Sequence, residues 1–301
     1  MSALCLLYTS MKWLSSKITQ LRQVEDPDAF ACSDPLSTSK SPEIARHRRR
    51  RRWTLDRQPK QSIAEEAPPM LSMSNDTVVL FDSVVNSFQE LAGTVLYTLR
   101  AEMRCHILYH LNLCMSGSSF NIPIPISKDT STVGQTPLLD PDINLLNLNT
   151  DLVSFDEDLS VLLRGREKEY ITLGLGSFIT HILIAHARKI GVMNRGGVHK
   201  MLLCILVLQQ NLKNVEGKVV SLERARQYYN LWINTGTGVK ELIARAAQGP
   251  IGFDFDELKA MINLCYSESL IANTGRKETV LQAKKAMVEA MKELSETMWQ
   301  G

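Results

Sequence analysis

From Asp76 onward, apolar side chains return at steps of three and four: Val78, Phe81, Val85, Phe88, Ala92, Val95, Leu99 and Met103. That spacing predicts one amphipathic helix, capped by Asn75 or Asp76 and running to about Leu113. Roughly 36 residues at about 1.5 Å each make a rod on the order of 55 Å, which points to an elongated bundle. The run Ser116 to Asp142, dense in Pro, Ser, Thr and Gly, predicts a long loop. A second helix follows through Leu145, Leu148, Leu152, Phe155, Leu159 and Leu162, with Gly165 as its stop. Ile171 to Ala185 predicts a third helix, ended near Gly191. A fourth runs from Val198 to Leu212, ended near Gly217. Ser221 caps a fifth through Leu222, Ala225, Tyr229 and Trp232. Helices at Val239–Ala247, Asp254–Ile271 and from Val280 to the terminus complete an all-α chain of seven or eight helices.

Residues 1–73 read differently. They are rich in Ser, Pro and charge and show only a short helical segment near Met11 to Val24, so they predict a disordered basic arm. The expected organisation is therefore an arm over 1–73 and a helical-bundle region over 74–300, an elongated rod of stacked bundles. Within the arm, Arg48, Arg49, Arg50, Arg51 and Arg52 stand beside Trp53. Like charges repel and stay solvated, and the indole is an interfacial anchor, so this block is the candidate for weak contact with an anionic membrane.

Composition narrows the function. A chain of 301 residues with 44% hydrophobic side chains can bury a substantial core, and a net charge of +2 does not mark a nucleic-acid binder as a whole. Six cysteines at irregular spacing, with no CxxC pair, predict reduced thiols rather than a disulfide frame or zinc site. Neither a secretory signal nor a membrane span is expected.

Candidate chemistry is sparse. Glu102, His106 and His110 share a helix face at four-residue spacing, but no second-helix ligand is evident from the sequence, so no metal is assigned. Asp140, Asp142 and Asn144 begin like a calcium loop, yet Leu145 replaces its glycine and Asp151 its final glutamate; an Asp142 helix cap is the better reading. The paired glycines of "LGLGSF" and "TGTGVK" complete no phosphate motif. No cofactor and no catalytic residue is assigned, and the expectation is a non-enzymatic protein without a small-molecule substrate. In the fourth helix Ile205, Gln209 and Leu212 fall on one stripe, a predicted buried seam with Gln209 as a polar lock.

Several stretches, in order, carry a resemblance. They are "RRWTL" (51–55), "FDSVVNSFQELAGTVLYTLRAEMRCHI" (81–107), "DPDINLLNLNTDLVSFDEDL" (140–159), "LVLQQNLKNVEG" (206–217), "ARQYYNLW" (225–232), "FDELKAMINLCYSESL" (255–270) and the terminal "SETMWQ". Together they resemble the C-terminal region of the exocyst component four family, the Sec-eight subunits, in their fungal form. The resemblance implies stacked helical bundles and membership of an eight-subunit complex that tethers secretory vesicles to the plasma membrane before SNARE-driven fusion. It also implies a cytoplasmic protein, peripheral at sites of polarised secretion, whose partners are other exocyst subunits. Family members are several times longer and carry an N-terminal coiled coil, so it implies a fragment or a misplaced start. One of Tyr228 and Tyr229 is expected among the exposed, partner-facing aromatics. The alternative is a nucleic-acid-binding or nuclear factor with a basic arm; beyond residue 60, however, Lys and Arg are interspersed with acids, and no nucleic acid is expected as a partner.

Overall fold

The computed structural model describes residues 2–22, 73–122, 139–216, 221–234, 239, 242–244, 252–272 and 277–300. Among them nine α-helices follow one another: α1 (Ser2–Leu21), α2 (Asn75–Gly117), α3 (Ile143–Leu162), α4 (Gly165–Thr172), α5 (Leu175–Ala185), α6 (Arg195–Glu216), α7 (Glu223–Asn234), α8 (Phe255–Ala272) and α9 (Lys277–Gln300). Extended pairing among the described residues is confined to one bridge, between Phe120 and Met193. The fold is all-α. The chain forms two compact units, residues 8–93 and residues 1–7 with 94–301.

Helix α2 follows its apolar period closely. Ala92, Val95, Leu99, Met103, Ile107, Leu111 and Cys114 are buried, a step of three or four each time. Its cap is Ser74, one residue before Asn75 and two before Asp76, and the Ser74 hydroxyl accepts the Thr77 amide at 3.3 Å. Helix α3 begins as expected, with Asp142 accepting the Asn144 amide at 3.0 Å. The expected third helix is two. Gly174, at φ +80°, takes a left-handed conformation that other residues adopt only at a cost, and the chain breaks there between α4 and α5. Gly165, expected as a stop, opens α4 instead.

The arm reading also needs correction at its beginning. Residues 2–21 form α1, which buries Cys5, Tyr8 and Ser15. Ser2 Oγ donates to Asp158 Oδ2 at 2.7 Å. In the smaller unit Arg22 pairs with Asp82 at 3.1 Å and lies over the Phe81 ring at 5.8 Å. The second half of α1 coincides with the segment expected near Met11 to Val24, and the helix extends from there back to Ser2.

The core of the larger unit gathers around α5 and α6. Helix α5 packs on α6 and α7, α6 also on α3 and α7, and α8 on α7 and α9. The described cysteines Cys5, Cys105, Cys114, Cys204 and Cys265 are in the thiol form, and Cys5, Cys114 and Cys204 are buried.

Candidate functional site

Three features of the larger unit bear on function: the seam of α6, a polar anchor at its start, and a cluster between α2 and α3. In the seam, Ile205 and Leu212 are buried, within a stripe of Met201, Cys204, Ile205, Leu208, Leu212 and Val215. Gln209 is only half-buried and lies at the flank; Leu208 takes the seam position. The amide that reaches across is Asn211, whose Nδ2 donates to both the carbonyl and the side-chain oxygen of Asn149 in α3, each at 3.1 Å. Both 205–209–212 and 205–208–212 fit a helical step. Which one faces inward depends on where α3 lies, and only the fold determines that.

The anchor precedes α6. Asn194 accepts from the Gly197 amide at 2.9 Å, capping the helix, and from the Ile122 amide at 3.1 Å. Its Nδ2 donates to the Ile122 carbonyl at 2.6 Å. Gly197 lies so near Phe120 that an added Cβ would stand 1.8 Å from its carbonyl oxygen. One turn further, Lys200 Nζ meets Asp142 Oδ2 at 3.1 Å, and Cys204 Sγ accepts the Asp142 amide at 3.3 Å. Burial pushes the Asp142 carboxyl up, but hydrogen bonds from Ser118, Lys200 and the Asn144 amide outweigh it and hold the group below its ordinary value. Burial pushes the Cys204 thiol up to about 11 and the Cys114 thiol higher still. These sulfurs are packing groups, without nucleophilic character.

The cluster is built by helix spacing. His106 and His110, one turn apart on α2, both reach Asp151 Oδ2 from α3, at 3.3 Å through Nδ1 and at 3.0 Å through Nε2. Glu102 Oε1 lies 3.4 Å from the other nitrogen of His106. The expected face of Glu102, His106 and His110 therefore exists, and Asp151 is the second-helix partner that the sequence did not reveal. No linear signal links positions 106 and 151; the pairing is purely tertiary.

The remaining expected residues fall elsewhere. Arg48, Arg49, Arg50, Arg51, Arg52 and Trp53 lie outside the described residues, as do most of Val239–Ala247 and of the loop between Phe120 and Asp142. Tyr228 and Tyr229 are both fully buried, which corrects the expectation that one faces a partner. Their hydroxyls donate at 2.8 Å to the Glu257 and Leu183 carbonyls, so each satisfies its polar end inside the core. Exposed aromatics among the described residues include Trp299, at 84%, and Trp13, Tyr97 and Tyr109. No described helix is long and apolar enough to cross a membrane.

No family model matches the chain. Curated relatives do. The chain is 34% identical to the probable exocyst complex component sec8 of Neurospora crassa over 99% of its own length. It belongs to the exocyst component 4 (sec8) family. Human exocyst complex component 4 is 28% identical over 74% of the chain, and sec8 of Schizosaccharomyces pombe is 22% identical over 72%. The chain spans 28% of the length of the Neurospora protein and 22% of the human one.

Proposed function

We propose that this chain is part of a non-enzymatic subunit of the exocyst, which helps dock secretory vesicles at the plasma membrane before SNARE-mediated fusion. The observation that carries the proposal is the match to sec8 along 99% of the chain. Its mechanism is presentation of helix surfaces to other exocyst subunits. Exposed side chains such as Trp299, Val288 and Leu281 on α9 and Leu206 on α6 supply apolar contact area for such docking. The relatives' names carry no support for the nucleic-acid alternative. The protein acts in the cytoplasm, peripherally at sites of polarised secretion, without cofactor or small-molecule substrate. Arg48 to Arg52 with Trp53 add a weak, salt-sensitive contact with anionic membrane.

Affinity purification of the tagged chain from a lysate, with identification of bound proteins, tests the proposal. Co-purification of exocyst subunits is the expected result. A helical, folded product that brings down none of them overturns the role for this chain. For the membrane contact, replacing the five arginines by glutamine should sharply lower binding to acidic liposomes at low salt; equal binding removes that part.

A further inference from the structure

Two histidines and an aspartate from two helices converge on one point outside the α6 seam. His106 Nδ1 and His110 Nε2 stand 3.3 and 3.0 Å from the same Asp151 oxygen, and the three potential ligand atoms all lie within 4.8 Å of one another. We propose that His106, His110 and Asp151 form a binding site for a divalent cation of the zinc class, which ties α2 to α3.

The donor set fits such a cation. Imidazole nitrogen and carboxylate oxygen both bind zinc at about 2.0–2.2 Å, and a tetrahedron of that size has edges of about 3.3 Å. The two nitrogen–oxygen separations are already of that size, so an ion needs only a turn of the rings to draw the two nitrogens together. Histidines four residues apart on one helix face are separated by a single turn, which suits them to one ion.

The proton count argues in the same direction. Both nitrogens of His106 face a carboxylate oxygen, Asp151 at 3.3 Å and Glu102 at 3.4 Å. A neutral imidazole carries one N–H and can donate to only one of them. The other contact is repulsive unless a second proton or a cation lies there. With an ion at Nδ1, Nε2–H donates to Glu102, an arrangement in which an outer carboxylate fixes the tautomer of a ligating histidine. On the neighbouring turn, His110 Nε2 points into the same cluster.

Aromatic neighbours line the site without closing it. Phe155 meets the His106 ring edge-on at 5.0 Å, and Tyr109 meets the His110 ring at 5.2 Å. His106 and Asp151 remain more than a third exposed, so a cation can enter and water can complete its coordination. Asp151 leaves the calcium reading of Asp140–Asp151 as part of a different arrangement, in which nitrogen ligands favour zinc over calcium.

The test is a Co2+ and Zn2+ titration of the full 301-residue chain, with helicity followed by circular dichroism. One equivalent of Co2+ should give the visible absorption of a four-coordinate ion without a sulfur charge-transfer band. Zn2+ at a hundredfold excess over its Kd should raise Tm by about 5 °C, reversed by chelator. His106→Gln with His110→Gln should abolish the Co2+ spectrum, and Asp151→Asn should weaken binding at least tenfold. Glu102→Gln should weaken it by about tenfold through the tautomer. No saturable Co2+ binding by the parent chain overturns the proposal. So does a spectrum that survives in a helical double-histidine variant, or a sulfur band that places the ion on a cysteine such as the exposed Cys105.

Discussion

Helices α5 and α9 face opposite demands. In α5, Leu175, Gly176, Ile179, Thr180, Ile182, Leu183 and Ile184 are all buried within eleven residues, so the helix is enclosed on nearly every side. In α9, which is 24 residues long, only Ala290 and Leu294 are buried, while Leu281, Val288, Met298 and Trp299 stand exposed. Its one described ion pair, Lys292 with Glu296 at 3.7 Å, stays within the helix. The contrast separates residues that hold the fold together from residues available to a partner. A helix apolar all round must be core; one that leaves apolar side chains outside its seam offers surface for docking.

Cutting the same side chain from both helices tests this contrast most severely. Leu183 and Leu294 are each fully buried. Leu183→Ala should cost about 4–5 kcal/mol, because its enclosed surroundings cannot collapse into the cavity, and Leu294→Ala about 2 kcal/mol, because α9 can settle onto α8. Denaturant midpoints at constant m-value measure both, and equal losses would erase the distinction. Asp142→Ala asks whether the interior relies on its polar anchor as well. It removes a cap and leaves Lys200 unpaired, at a cost of about 3 kcal/mol near neutral pH. The Asp142 carboxyl is held below its ordinary value of 3.8, so its contribution is complete above that pH and disappears as pH falls through the folded-state value. Parent and variant stabilities should accordingly converge in acid.

Smaller effects sharpen the picture. Asn211→Ala, which breaks the link to Asn149, should cost about 1 kcal/mol in the same assay, and Gln209→Ala less. Trp299→Ser should shift stability by no more than about 0.5 kcal/mol, since the ring is largely in water. The same substitution should reduce recovery of exocyst subunits in a pull-down; unchanged recovery would remove the end of α9 from the docking surface.

These helices also show what a linear sequence can and cannot disclose. The all-α class, the stripe of α2 from Ala92 to Met103 and the Asp142 cap follow from local spacing and were legible without a structure. Helix α1 was legible only in its second half, near Met11; its first turns, around buried Cys5 and Tyr8, were read as part of the arm. The division between α4 and α5 was signalled by Gly174, a residue equally at home inside a weak helix or in a left-handed break. Faces were harder still. Tyr228 and Tyr229 look amphipathic in sequence, and only the carbonyls of Glu257 and Leu183 explain how both can be interior. Asp151 stands 41 residues from His110 along the chain, and no periodicity carries information over that separation.

The close approach of Gly197 to Phe120 has a use in the living cell. A single methyl group at position 197 would collide with the Phe120 carbonyl and prise the start of α6 away from residues 120–122, while the helices themselves keep their sequences. Such damage is local and costs a fixed amount of stability, which cooler growth tolerates and warmer growth does not. Gly197→Ala is thereby the natural choice for a heat-sensitive variant, one that stays folded in the cool and loses the start of α6 on warming.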